Sequence, residues 1–431
     1  MTGLTITGAL LPDGARRDLH VADGVFVESA PAGATRIDAD GLQALPGLVD
    51  LHTHLREPGF EQSETVLTGT RAAAAGGFTA VHAMANTQPV QDTAGVVEQV
   101  ASLGAQYGYA TVRPIGAVTV GLAGERLAEI GAMARSRAAV RVFSDDGKCV
   151  ADALLMRRAL EYVAGFDGVV AQHAQEPRLT EGAQMNEGEL SSELGLAGWP
   201  GVAEEAIIAR DVLLADQVGA RLHVCHVSTA GSVEVLRWAK GRGIRVTAEV
   251  TPHHLLLTEQ LAASYDARYK VNPPLRAQED VDAVRAALAD GTIDIVATDH
   301  APHPVESKEA AWAEASFGMV GLESALSVVQ AAMVDTGLLT WSDVARVLSA
   351  APASIGRLAG YDAPFSIGAP AHLTLVDTAA RRRFATADLH GRSVNSPYLG
   401  TELPGRVVVT VHGGVPTVLD GELRPEEEVA P

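Results

Sequence analysis

Leu48-Val49-Asp50-Leu51-His52-Thr53-His54-Leu55-Arg56 is an apolar run that follows Pro46-Gly47 and closes on two histidines one residue apart. Runs of this kind, bounded by Pro and Gly, form buried strands. Alternate side chains on a strand point the same way, so His52 and His54 share one face at its C-terminal end. Two imidazoles on one rigid face can grip a metal ion, and neutral imidazole suits Zn, Fe or Ni. An isolated His-x-His is more often a pair of ordinary polar residues where a strand leaves the core. The rest of the chain has to choose between these readings.

Outward from this run, strand and helix patterns alternate. Ser63 and Glu64 open a helix that runs through Arg71-Ala72-Ala73-Ala74-Ala75 and closes at Gly76-Gly77. Ser is a good N-cap and Gly a good C-cap. Further strands are expected at 79–84, 112–118, 139–144, 169–173, 221–226, 245–250 and 293–298. The third is the weakest, because Pro114 cannot donate to a ladder. Helices are expected at 202–218 and from about Ser232 to Lys240. Eight strands separated mostly by helices predict an α/β fold, a (β/α)8 TIM-like barrel. A doubly wound open sheet competes, but no Gly-rich dinucleotide fingerprint follows the first strand.

The two ends have a different texture. Residues 1–47 form short alternating pieces broken by Pro12-Asp13-Gly14 and Ala22-Asp23-Gly24. After about Gly360, strand signals return at 371–376, 407–411 and 417–419, with turns at Gly413-Gly414 and Asp420-Gly421. Chain termini tend to lie close together. We therefore expect a barrel over 48–360, with 1–47 and 361–431 pairing into one small β-sandwich domain.

Composition narrows the function. The chain has 431 residues, 47% of them hydrophobic, and a formal net charge of -20. Nucleic-acid and anionic-membrane binding both need clustered positive charge, so neither is expected. Met1-Thr2-Gly3-Leu4-Thr5-Ile6 lacks the basic start and apolar core of a signal peptide, and no run of about 18 apolar residues occurs. Two cysteines, Cys149 and Cys225, make no disulfide framework and fit a reducing, cytoplasmic compartment. Each sits in an apolar run and reads as a small buried hydrophobe.

The polar residues fall at strand ends. Asp146 follows the fourth strand, His173 ends the fifth, His226 ends the sixth and Asp299 ends the eighth. Barrel active sites are built at that C-terminal face. With His52 and His54 these make six potential ligands, and buried polar groups are costly unless paired. Six exceed the four of a single tetrahedral zinc and suit two metals sharing a carboxylate. A pair about 3.5–4 Å apart can polarise a carbonyl and hold a bridging hydroxide at neutral pH. That chemistry is hydrolysis, or the reverse condensation.

Five motifs then combine. They are His52-Thr53-His54-Leu55-Arg56-Glu57-Pro58-Gly59, Ser144-Asp145-Asp146-Gly147, Val224-Cys225-His226-Val227-Ser228-Thr229, Asn272-Pro273-Pro274-Leu275-Arg276 and Ala297-Thr298-Asp299-His300-Ala301-Pro302-His303. In this order they resemble the dihydroorotases of the amidohydrolase superfamily, in their longer, bacterial type I form, over nearly the whole chain. The resemblance implies a barrel with a flanking β domain and two Zn2+ per subunit, bridged by Asp146 and a hydroxide. His52 and His54 would bind one zinc and His173 and His226 the other, while Asp299 would contact the first and carry the proton. His54, Arg56, Asn86, Asn272 and His303 would hold the substrate, with backbone help from Phe317 and Gly318. The reaction implied is the reversible cyclisation of N-carbamoyl-L-aspartate to L-dihydroorotate.

In related hydantoinases and allantoinases the bridge is a carboxylated lysine on strand four. Here that strand carries Arg141 and no lysine, which favours an aspartate. The choice of Asp146 over Asp145 rests on motif matching alone. The family's usual Met-Pro-Asn-Thr is Met84-Ala85-Asn86-Thr87 in this chain. The resemblance also raises two assemblies, a homodimer and a complex with aspartate transcarbamoylase.

Arg56 is read as a two-pronged partner for a substrate carboxylate, against a plain surface salt bridge. His82 and His223 read as structural. His253 and His254 are open between partners that orient metal ligands and simple loop residues. The polar stretch 304–316 reads as a lid or a solvated loop. The rivals are another cyclic-amide hydrolase and a catalytically silent scaffold; retention of all six ligand positions speaks against the scaffold.

Overall fold

The computed structural model describes residues 3–429; Met1 and Thr2, where the leader reading begins, lie outside them. Three parallel strands, Leu48–Thr53, Phe78–Ala83 and Thr111–Pro114, form one sheet. Five more, Val142–Phe143, Val169–Gln172, Leu222–Val224, Val246–Val250 and Ile295–Val296, form a second. Two parallel bridges join these sheets edge to edge, Gly116 with Phe143 and Thr53 with His300. Main-chain bonds seal both seams, Ser144 N to Gly116 O at 2.9 Å and His54 N to His300 O at 2.8 Å. The eight expected strands therefore close into a barrel.

Helices return the chain between strands, including Val66–Ala75, Ala94–Tyr107, Ala153–Ala164, Val202–Val218, Ala230–Gly241 and Gln278–Asp290. The first starts later than expected. Thr65, not Ser63, is its N-cap, and its hydroxyl accepts from Thr68 N at 3.1 Å. Glu64 is instead fully buried and accepts from Arg392 N at 3.0 Å, which removes it from the helix. Below the rim, Leu51, Met84, Ile115, Val142, Val169 and Cys225 fill the barrel interior. The space is a packed core, not a pore.

Both chain ends contribute to one nine-stranded sheet. Gln43–Pro46 pairs antiparallel with Leu373–Arg383, which pairs with Glu402–His412. Leu4, Ile6 and Val21 share its apolar core with Leu373, Leu375 and Val409. The sandwich is thus one continuous sheet about a single core. Gly47 links it to the barrel, and only glycine fits there: a Cβ would lie 2.2 Å from Thr79 Oγ1.

Candidate metal centre and active site

All six expected ligands meet at the barrel rim. His52 and His54 leave the first strand with ring centroids 5.4 Å apart. Asp146 Oδ2 lies 3.4 Å from Nε2 of His52 and 3.4 Å from Nε2 of His54. Its Oδ1 lies 3.0 Å from His173 Nδ1 and 3.1 Å from His226 Nε2. Asp299 Oδ1 completes the first group, 3.4 Å from His52 Nε2 and 3.1 Å from His54 Nε2. One carboxylate thus presents an oxygen to each of two imidazole pairs. Asp145 turns away and accepts from Val118 N at 2.8 Å and Thr119 N at 2.9 Å.

This arrangement fits metal. Donors about 2.0–2.1 Å from a tetrahedral zinc stand about 3.3 Å apart, close to the spacings above. His52 Nε2 is buried and, among the described residues, has no hydrogen-bond partner. The far ring nitrogens are already engaged: His52 Nδ1 with Glu249 Oε1 at 2.6 Å, His54 Nδ1 with Asn86 Oδ1 at 2.8 Å and His173 Nε2 with Gln175 Oε1 at 2.7 Å. Those oxygens only accept, so the three histidines donate there and face Asp146 with their other ring nitrogens. Three residues at the site, Arg56, His226 and Asp299, adopt left-handed backbone with φ of 64°, 32° and 47°. Such strain costs on the order of 1–3 kcal/mol each and gathers at functional sites.

The carboxylates and imidazoles shift one another. Burial raises the Asp146 carboxyl, but His52, His173 and His226 outweigh it and hold it well below the usual range. Burial likewise lowers His52, while Asp146, Glu249 and Asp299 hold it well above its ordinary value.

A cavity of about 310 Å³ opens above this cluster. All seven expected substrate residues line it: His54, Arg56, Asn86, Asn272, His303, Phe317 and Gly318. Arg56 makes no salt bridge among the described residues; its Nε donates to Pro302 O at 3.2 Å, and its Nη2 lies 3.5 Å from His303 Nε2. The surface-pair alternative therefore fails, and a cation is left facing the cavity. Burial, Arg56 and Lys308 push His303 down to about 3, so it is neutral near pH 7. Asn86 has its oxygen engaged by His54 and offers its amide N–H groups. Gly318 has φ of 130°, and a Cβ there would sit 2.9 Å from His303 Nε2. A larger cavity of about 460 Å³ near Arg113 and His412 contains none of these residues.

Several partners escaped the sequence reading. Glu249, fully buried in the seventh strand, accepts from His52 with one oxygen and lies 2.9 Å from His223 Nε2 with the other. His223 also reaches Thr247 Oγ1 at 2.9 Å, so it braces Glu249 behind His52. The available signal was a lone carboxylate inside an apolar strand, which burial makes costly unless it is paired. His253 and His254 lie on a short buried helix, Pro252–Leu256, and not in a loop. The stretch 304–316 is anchored by Lys308 and Trp312, both buried.

A family model described as Dihydro-orotase-like matches residues 41–232. The chain is 76% identical over 420 residues to a dihydroorotase of Leifsonia xyli subsp. xyli, covering 96% of each chain. Against the dihydroorotase of Streptomyces coelicolor it is 65% identical over 428 residues, covering 98% of this chain and 100% of the other. For Mycobacterium tuberculosis the identity is 54% over 417 residues, covering 96% and 97%. Among solved structures, an L-hydantoinase (dihydropyrimidinase) from Arthrobacter aurescens superimposes with a TM-score of 0.87 at 24% identity, covering 99% of this chain and 98% of that one. That likeness concerns the fold. The dihydroorotases this chain matches are cyclic-amide hydrolases, a class of amidohydrolase, and the closed barrel with its carboxylate-centred imidazoles accords with that class. Within that class, the chain belongs to the dihydroorotase family.

Proposed function

We propose that this chain catalyses the reversible cyclisation of N-carbamoyl-L-aspartate to L-dihydroorotate and water, a step of de novo pyrimidine (UMP) biosynthesis in the cytoplasm. The observation that carries the reading is Asp146, whose two oxygens face two imidazole pairs beneath a cavity with a carboxylate-free Arg56. His52 and His54, with Asp299, would hold one Zn2+, His173 and His226 the other, and Asp146 would bridge them. Two such ions, when bound, polarise the ring carbonyl and supply hydroxide at neutral pH.

The chain's own residues do the rest. Arg56 pairs two-pronged with the substrate carboxylate, supported by Asn86, Asn272 and neutral His303. Phe317 presents main-chain groups to the ring, and Gly318, which has no side chain, leaves room for it beside His303. In the hydrolytic direction, Asp299 accepts the nucleophile's proton and returns it to the leaving ring nitrogen, general base and then general acid. In the same reading residues 48–360 are the catalytic unit, and 1–47 with 361–431 a supporting one. The test is an absorbance assay of L-dihydroorotate loss. Turnover that needs zinc and is lost to a chelator is expected; turnover indifferent to both would overturn the reading.

A further inference from the structure

Two side chains that do not line the cavity hold the wall beside Arg56. Lys308 is 8% exposed, and among the described residues it pairs with no carboxylate. Its ammonium donates to three main-chain carbonyls: Ser316 O at 2.7 Å, Gly318 O at 2.9 Å and Lys270 O at 3.2 Å. An ammonium has three donors, so its capacity is fully used. The Gly318 amide closes the same knot by donating to Lys270 O at 2.9 Å.

Asn395 approaches from the C-terminal part of the chain and is 5% exposed. Its Nδ2 donates to Ala301 O at 3.0 Å and Gly318 O at 3.2 Å, and its Oδ1 accepts from His303 N at 3.2 Å. Ala301, His303 and Gly318 all line the cavity, while Lys308 and Asn395 do not. Lys270, the third strand of the knot, stacks its ammonium 4.4 Å from the Phe317 ring. Every one of these bonds ends on residues 301–303 or 316–318, the wall against which Arg56 rests through Pro302 O and His303, or on Lys270 beneath it.

We propose that Lys308 and Asn395 are positioning residues that set where His303 and Gly318 stand relative to Arg56, and so govern substrate affinity and not the chemical step. The inference rests on the reading that this cavity takes L-dihydroorotate. Displacing a substrate-holding wall while leaving the reacting groups in place raises KM and spares kcat.

The test uses zinc-loaded enzyme with L-dihydroorotate, comparing Lys308→Met and Asn395→Ala with the parent chain. Lys308→Gln and Asn395→Ser serve where a first variant does not fold. Each should raise KM about tenfold with kcat within about twofold and zinc content unchanged. Hydrogen exchange at the Gly318 amide should also quicken in both variants, whatever the turnover. Unchanged KM, or kcat falling while KM stays flat, overturns the proposal, as does unaltered exchange at Gly318. A parent chain without turnover would instead defeat the assigned reaction, and the exchange measurement would still decide whether the knot exists.

Discussion

Glu249 offers a graded experiment, because its two oxygens serve two different imidazoles. Oε1 accepts from His52 Nδ1 at 2.6 Å, which leaves His52 Nε2 to face Asp146 and, in the proposed function, the metal. Oε2 faces His223 Nε2 at 2.9 Å. Glu249→Gln keeps one acceptor and turns the other into a donor. His223 can absorb that change by switching tautomer, since Thr247 Oγ1 at 2.9 Å accepts as readily as it donates. The loss is then mainly the carboxylate's charge behind His52. Outer partners of this kind are worth about 10–100-fold in metal affinity. We expect Glu249→Gln at the low end, about tenfold or about 1.4 kcal/mol. Glu249→Leu strands both imidazoles and belongs at about a hundredfold. Adding Thr247→Val to Glu249→Gln removes the escape route and should approach the Leu value. Zinc affinity measured by chelator competition, without any turnover, reads all three. A Glu249→Leu chain that binds zinc like the parent would refute the reasoning.

Three further outcomes are expected. Asp299→Asn should lower kcat by about 10²–10⁴-fold while zinc content stays near that of the parent; near-normal turnover would remove Asp299 from proton transfer. Arg56→Lys keeps the charge but loses the planar fork, so KM for L-dihydroorotate should rise about tenfold, and an unchanged KM would contradict the carboxylate clamp. Burial leads the shifts that hold His82 down to about 4 and His254, His303 and His372 to about 3. The unfolded chain takes up these protons near pH 6.5, so between there and about 3 it binds more protons than the native state. Stability from these groups is complete above about 6.5 and is lost as pH falls; a Tm of the zinc-loaded protein that rises from pH 8 to 5 would contradict this.

The barrel was legible because its strands are apolar runs that end in titratable residues. Leu48–Thr53 and Val246–Val250 lie almost where the runs do, whereas the fourth and eighth strands shrink to Val142–Phe143 and Ile295–Val296. There the ladder yields early to the turns that carry Asp146 and Asp299. The six clustered residues were readable for the same reason: strand-end placement is a property of sequence position. What could not be read acts across the chain. Asn395 reaches His303 over 92 positions, and Lys308 works entirely through main-chain carbonyls, which have no sequence signature. The helix start at Thr65 was missed because Glu64 is drawn off to Arg392 N, 328 positions away. Glu249 was visible as a residue but not as a partner, since its pairing with His52 depends on barrel closure, which leaves only strand eight between strands one and seven.

The most direct measurement is anomalous diffraction at the zinc edge from crystals of the loaded protein. Two peaks should appear, one among His52, His54 and Asp299 and one beside His173 and His226, with Asp146 in contact with both. A single peak, or two peaks with Asp146 touching neither, would contradict the account.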